Sequence, residues 1–428
     1  MKIQELYSLF LKSASVSIDS RTTQPGAIFF PLKGENSNGN EYIEKALESG
    51  ARFAITDEKE REDRKRNIYY VEDSLTALQD LARYHRIKMD IPIISLTGSN
   101  GKTTTKELIS AVLSKKYRLT ATKGNLNNHI GVPLTLLTIK DKHELAIVEM
   151  GANHQKEIEF LCSIALPDFG YITNFGKAHL EGFGGVEGVI KGKSEMYRYL
   201  AANSKTAFVN CNDPKQMELT ADLERITFGS CDEADFRFEF IENQHGKCPE
   251  IKYGKLSFQS SLIGAYNAPN VAAAIAFGLY FKVPQQKITE AVSEYDSGDN
   301  RSEIIQKDNL KIVLDAYNAN PSSMEAALLN FERMEGSKTA VLGDMFELGE
   351  TSQSEHQKIA DLAAMLRIDQ IFLIGEHFSQ IKNSNSKITL FSDREIAKSY
   401  FEKNKISTQL LLLKGSRGMA LEKLLPIF

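Results

Sequence analysis

The chain of 428 residues is 42% hydrophobic and 25% charged, the balance of a folded protein with room for about three domains. Its net charge of −4 offers no general attraction for nucleic acid, which leaves local anion pockets as the places to look. No run approaches the ~20 apolar residues of a membrane span, and the apolar part of the opening "MKIQELYSLFLKSASVS" is too short for a secretory signal.

Residues 1–88 contain short strands, among them 27–31 and 52–56, around the turn-rich "PLKGENSNGN". The run 57–66, "DEKEREDRKR", holds five acids and five bases and reads as a solvated helix or loop. A break near Met89–Pro92 leads into a different texture. Strands are expected at 91–96, 145–149, 170–173, 206–209, 311–315, 339–342, 370–374 and 409–413. Helices are expected at 103–114, 186–200, 269–281, 322–334, 355–366 and 394–404. Strands spaced by helices imply βαβ units and parallel sheets covered on both faces. A second break is the polar "EYDSGDNRSE", 294–303. The expected fold is α/β in three domains. They are a small N-terminal α/β domain (1–88), a central P-loop-type domain with a parallel or mixed sheet (89–298) and a C-terminal Rossmann-like α/β domain (299–428). Hinges at both breaks would put a ligand site between domains. Cys162, Cys211, Cys231 and Cys248 form neither a C-x-x-C pair nor a zinc-spaced cluster, so a reduced, cytoplasmic chain is expected.

The stretch 93–110, "IISLTGSNGKTTTKELIS", places a glycine loop between a strand and a helix, an arrangement that aims backbone N–H groups at an anion. The usual G-x-x-x-x-G-K-[ST] spacing would need glycine at position 96, where Leu96 stands. The shorter loop Gly98, Ser99, Asn100, Gly101, Lys102, Thr103, Thr104 still has the parts for a nucleoside triphosphate. The glycines let the backbone approach phosphate, Lys102 balances β/γ charge, and the Thr103 hydroxyl is placed to ligate Mg²⁺. Strand ends of an open parallel sheet face one crevice. Glu149 ends the next strong strand and offers a carboxylate to Mg²⁺, and His179 follows the third strand on the same edge.

The segments "TGSNGKTTTKE", "KGNLNNHIGVPLTLL", "AIVEMGANHQKEI" and "ITNFGKAHLEGFGGVEGVIKGKSEMY" resemble the Mur ligases, a group whose relative folylpolyglutamate synthetase has a similarly short phosphate loop. Together with "DAYNANPSSMEAAL", "VLGDMFELGE", "LLKGSRGMALE" and the N-terminal "DSR" and "PGAIFFPLKGE", the resemblance covers nearly the whole chain. It is strongest to the branch that joins D-alanyl-D-alanine to UDP-N-acetylmuramoyl-tripeptide in peptidoglycan precursor synthesis.

The resemblance implies domains for the UDP-sugar, for ATP, and for closure over the site with the incoming dipeptide. It implies an ATP-dependent ligase that activates a carboxylate as an acyl phosphate, with two Mg²⁺ ions. Thr103 and Glu149 would hold the first ion, and His179 would help hold the second together with a carbamylated lysine. Counting from His179, Lys193 matches that lysine and Lys191 is the rival. Asn267 and Asn270 would face adenine, Asp315 the ribose, and Arg301 the γ-phosphate. Ser20 and Arg21 would contact the uridine diphosphate, and Asn125, Asn127 and Asn128 the muramoyl group. Asn318, Asn320 and the "KGSR" run with Arg417 are candidates for the dipeptide. The expected form is a monomer without nucleic-acid partners. Two departures stand out: Asn38-Gly39-Asn40 replaces the relatives' "DGH", and "DNR" precedes Ser302 where glycine often comes before the arginine. The alternatives are another ligase of the group, either the one adding a diamino acid or folylpolyglutamate synthetase, or a non-ligase ATP-dependent binding protein. The "GNLNN" and "EMGANHQ" segments argue against the first two, and no ABC-type signature supports the last.

Overall fold

The computed structural model describes residues 1–243, 246–298 and 300–428. The second expected boundary and the aspartate of "DNR" fall on Asp299, outside the described residues.

Among the described residues, strands Val16–Ser17, Ile28–Phe29, Phe53–Thr56 and Ile68–Tyr70 form a parallel sheet. Helix Ser74–Met89 follows, capped by the Asp73 carboxylate on Thr76 N–H at 2.6 Å. It stops at Asp90, which takes the left-handed conformation (φ 44°), just ahead of Pro92. Arg86 of this helix reaches the next unit and pairs with Asp168 at 2.7 Å.

The central unit is a seven-stranded, wholly parallel sheet in the order Phe236–Arg237, Arg225–Gly229, Thr206–Asn210, Phe169–Ile172, Ile93–Thr97, Leu145–Glu149, Leu119–Ala121. Every residue of Ile93–Thr97 and Leu145–Glu149 is buried, because helices cover both faces. Helix Ala268–Tyr280 is buried almost all round and lies against helix Lys102–Ser114. Gly278 makes that approach fit: a Cβ there would sit 2.6 Å from Val112 Cγ1.

The C-terminal unit is a six-stranded sheet in the order Glu303–Lys307, Leu310–Asp315, Leu410–Lys414, Lys338–Gly343, Gln370–Ile374, Ile388–Phe391, parallel except for its first pair. No helix among the described residues is long and apolar enough to cross a membrane.

Two expectations need correction, and one element was not foreseen. The single helix 186–200 is two helices, Val186–Lys193 and Glu195–Ala202, meeting at Ser194. There the Ser194 hydroxyl and the Arg198 guanidinium both donate to the Lys191 carbonyl, at 3.1 Å each. The expected four free thiols are two: Cys211 and Cys231 are joined as a disulfide, while Cys162 and Cys248 are free and buried. The antiparallel ribbon Glu239–Ile241, Glu250–Tyr253, Leu256–Phe258 was not expected, because its strands are short and carry several charges. The run 57–66 is exposed over most of its length and forms two single 3₁₀ turns.

Candidate active site

A cavity of about 1480 Å³ lies where the central and C-terminal units meet, lined also by Leu75 and Gln79 of helix Ser74–Met89. The phosphate loop forms one wall. Gly98 (φ 147°) and Gly101 (φ 78°) both need glycine: a Cβ at 98 would lie 1.9 Å from Thr173 Oγ1, and one at 101 would lie 2.7 Å from Asn270 Oδ1. The end of the neighbouring strand holds the loop. Asn174 accepts from Asn100 N–H at 3.1 Å and donates to the Asn100 carbonyl at 3.0 Å, and Thr173 Oγ1 donates to the same carbonyl at 2.6 Å. Lys102 Nζ folds back on the loop, donating to the Gly98 carbonyl at 2.8 Å. Its surroundings lower its affinity for a proton, first by burial and further by Arg301, against the pull of Glu149.

Glu149 is 1% exposed. One carboxylate oxygen accepts from Asn127 Nδ2 at 2.8 Å and Thr103 Oγ1 at 3.3 Å. The other, Oε2, is buried with no hydrogen-bond partner among the described residues. A buried anion with an unused oxygen beside a hydroxyl is costly unless a cation completes it, so these residues fit a hard metal ion.

His179 lines the same cavity in a left-handed backbone conformation (φ 54°), and its Nδ1 contacts the Glu347 carboxylate from the C-terminal unit. Lys193 has no exposed surface; its Nζ donates to the Ala152 carbonyl at 3.3 Å and lies 5.1 Å from the Phe183 ring centre. Burial, aided by the charge of Lys102, holds its amine well below the usual lysine range. Lys191, the rival, is exposed.

From the C-terminal unit, Arg301 stacks its guanidinium 3.5 Å from the Tyr317 ring centre, leaving its buried Nε without a partner among the described residues. Asp315 is already engaged: it accepts from Lys414 Nζ at 2.6 Å and from Ser302 N–H at 3.3 Å. Asn318 and Asn320 line the cavity, and Asn320 reaches Asn100 of the phosphate loop. Asn267 and Asn270 do as well, although Asn270 Nδ2 donates to Asn267 Oδ1 at 2.9 Å and Asn267 Nδ2 to the Ile263 carbonyl at 2.8 Å. Each amide keeps one N–H and a lone pair for another group.

The structure thus brings Ser99 to Thr104, Asn125, Asn127, Asn128, Glu149, His179, Asn267, Asn270, Arg301, Asp315, Asn318 and Asn320 to one cavity. Gly98, Ser20, Arg21, Lys193 and Arg417 are not among its lining residues. Arg21 is exposed and spends its guanidinium on Asp19, at 2.7 Å. Arg417 is exposed too, 5.7 Å from the Tyr317 ring centre. The "NGN" departure is structural: Asn40 is fully buried, donating to Asp57 at 2.7 Å and accepting from Thr56 at 2.8 Å. Asn174, Tyr317 and Glu347 escaped the sequence reading; each lies inside a quoted motif at or just after a strand end, the one signal that could have singled them out. Lys414, read within the "KGSR" run as a dipeptide candidate, instead pairs with Asp315 at 2.6 Å.

Comparison with known proteins agrees along the whole chain. Residues 12–86 match the Mur ligase family catalytic domain, 96–278 the Mur ligase middle domain and 300–417 the Mur ligase glutamate ligase domain. The UDP-N-acetylmuramoyl-tripeptide–D-alanyl-D-alanine ligase of Bacillus subtilis is 33% identical over 96% of this chain and 92% of its own. A crystal structure of MurF from Acinetobacter baumannii superimposes with a TM-score of 0.88 at 30% identity, covering 99% of this chain and 98% of that one. MurF ligase from Thermotoga maritima in complex with ADP gives 0.85 at 27% identity, covering 98% and 97%.

Proposed function

The chain belongs to the Mur ligase family, and from that premise we propose that it uses ATP to join D-alanyl-D-alanine to UDP-N-acetylmuramoyl-tripeptide. The product is a cell-wall peptidoglycan precursor, made in the cytoplasm by a monomer and needed for cell shape and division. The observation that carries this reading is the buried Oε2 of Glu149 beside Thr103, without a partner among the described residues, in a cavity that the C-terminal unit clasps through Asn320 to Asn100 of the central unit.

The nucleotide sugar would be bound by 1–88 with Asn125, Asn127 and Asn128, ATP by 89–298, and the dipeptide by 299–428 through Asn318, Asn320 and Arg417. The tripeptide carboxylate attacks the γ-phosphorus, giving an acyl phosphate and ADP. The dipeptide amine then attacks the acyl carbon, loses a proton and expels phosphate. The protein's work is positioning and charge balance. The loop amides from Gly98 to Thr104 and Lys102 hold the phosphates, and Lys102 leaves the Gly98 carbonyl to do so. Arg301, parked on Tyr317, supplies the second positive charge near the transferring group. Asn267, Asn270 and Asp315 face the nucleoside, with Lys414 fixing the Asp315 carboxylate. Mg²⁺, when bound, neutralises phosphate and acyl-phosphate charge. Thr103 and Glu149 would hold one ion, and His179 with a carbamate on Lys193 a second. Burial weakens the Lys193 amine's hold on its proton, which favours its attack on CO₂ to form a carbamate with release of one proton.

The test is phosphate release with ATP, UDP-N-acetylmuramoyl-tripeptide and D-alanyl-D-alanine, omitting each in turn. Turnover is expected only with all three. Equal ATP hydrolysis without either acceptor or donor peptide would favour the non-ligase alternative.

A further inference from the structure

The segment "VLGDMFELGE" (341–350) contributes a side chain that the reaction above leaves unused. Its loop is pinned within the C-terminal unit. The Asp344 carboxylate accepts from the backbone N–H of His377 and Phe378, at 2.9 Å each. Met345 N–H donates to His356 Nε2 at 3.0 Å and Phe346 N–H to Ser416 Oγ at 2.9 Å. The next residue, Glu347, crosses to the central unit. Its carboxylate meets His179 Nδ1, and its carbonyl accepts from Glu181 N–H at 3.2 Å. Gly349 completes the seat, since a Cβ there would already lie 3.3 Å from Glu181 Cβ. Both partners have left-handed backbones, φ 54° at His179 and φ 61° at Glu347, a conformation unusual outside glycine and retained only where surrounding contacts enforce it.

We propose that Glu347 is a positioning residue for His179, fixing the imidazole from across the interface so that Nδ1 carries the proton and Nε2 keeps its lone pair for a cation. An imidazole that binds metal commonly donates its other N–H to a carboxylate, which sets both tautomer and ring direction. Here that carboxylate belongs to the opposite unit, so His179 is oriented only where the two units touch. The metal role of His179 rests on the function proposed above; the contact itself does not.

The experiment uses the full chain, free of nucleotide and metal, labelled with ¹⁵N-histidine at alkaline pH. The His179 signals are identified by their loss in His179→Gln. Wild type is expected to show the Nδ1–H tautomer. Glu347→Gln, whose side-chain carbonyl still accepts, should keep it. Glu347→Ala should shift the ring toward the Nε2–H form, and its turnover with all three substrates should fall on the order of 10- to 100-fold, with Glu347→Gln retaining most activity. Unchanged His179 signals in Glu347→Ala would overturn the proposal, as would a Gln variant that loses the tautomer as fully as Ala. If the tautomer shift appears but no ligation occurs with any variant or with wild type, the function proposed above fails and the Glu347–His179 coupling stands.

Discussion

Asn320 donates its side-chain amide to the side-chain oxygen of Asn100 at 2.7 Å, tying the start of helix Pro321–Arg333 to the phosphate loop across 220 residues of chain. The same side chain caps its helix, its oxygen accepting from Ser323 N–H at 3.0 Å. The two jobs separate by substitution. Asn320→Asp keeps the cap and loses the donor to Asn100, so the melting temperature should hold. The KM for ATP should rise several-fold, as expected for one hydrogen bond worth about 1 kcal/mol. Asn320→Ala loses both and should cost about 1 kcal/mol more in stability. An Asp variant with wild-type ATP dependence would show that the clasp does not bear on nucleotide binding.

Lys193 and Lys191 are two residues apart on one helix, yet one is fully buried and the other exposed. Lys193→Ala should abolish measurable turnover, with partial recovery on adding short carboxylic acids, which restore an anion in the vacated space. Lys191→Ala should behave as wild type. Depleting CO₂ and bicarbonate should slow the wild-type enzyme reversibly. Full activity of Lys193→Ala would remove the carbamate from the account.

Glu149 holds a buried oxygen with no partner among the described residues, a cost of about 1–3 kcal/mol in the metal-free protein. Glu149→Gln removes the charge, so its melting temperature without metal should equal or exceed that of wild type. Magnesium and ADP should raise the wild-type melting temperature by binding the native state, and should do so much less in the variant. Turnover should fall by at least ~100-fold, since even outer partners of bound metals are worth 10–100-fold. Thermal shift assays with and without metal read both effects.

Gly98 faces Thr173 with no space for a side chain. Gly98→Ala should lose the loop geometry and be destabilised by several kcal/mol, the penalty of a contact at 1.9 Å together with φ 147°. Pairing it with Thr173→Ala should recover part of the stability by freeing the space, but not nucleotide binding, because the strained φ remains. Chemical denaturation and ATP titration separate the two.

The phosphate loop was legible because its requirements are local. Two glycines, a lysine and a threonine between a buried strand and a helix mark the turn locally, while Thr173, Asn174 and Asn270 from distant chain hold its path. The strand and helix alternation was legible for the same reason: Leu145–Glu149 and Gln370–Ile374 fall where the apolar runs place them. The reading 186–200 failed at Ser194 because the break comes from a side chain competing for the Lys191 carbonyl, a contact that hydrophobic period does not record.

What the tertiary structure decided is who meets whom over long separations. The sequence cannot say that Lys193 is buried and Lys191 is not, that Asp315 holds Lys414, or that Cys211 lies against Cys231. It marked Asn38 and Asn40 as departures from the relatives' "DGH" but not where their amides go, which packing spends on Asp57, Glu58 and Thr56. Nor could it bring Glu347 to His179. Propensity and pattern act over a few residues, while charge burial and hydrogen-bond partnership depend on the whole path that returns the chain to the same place.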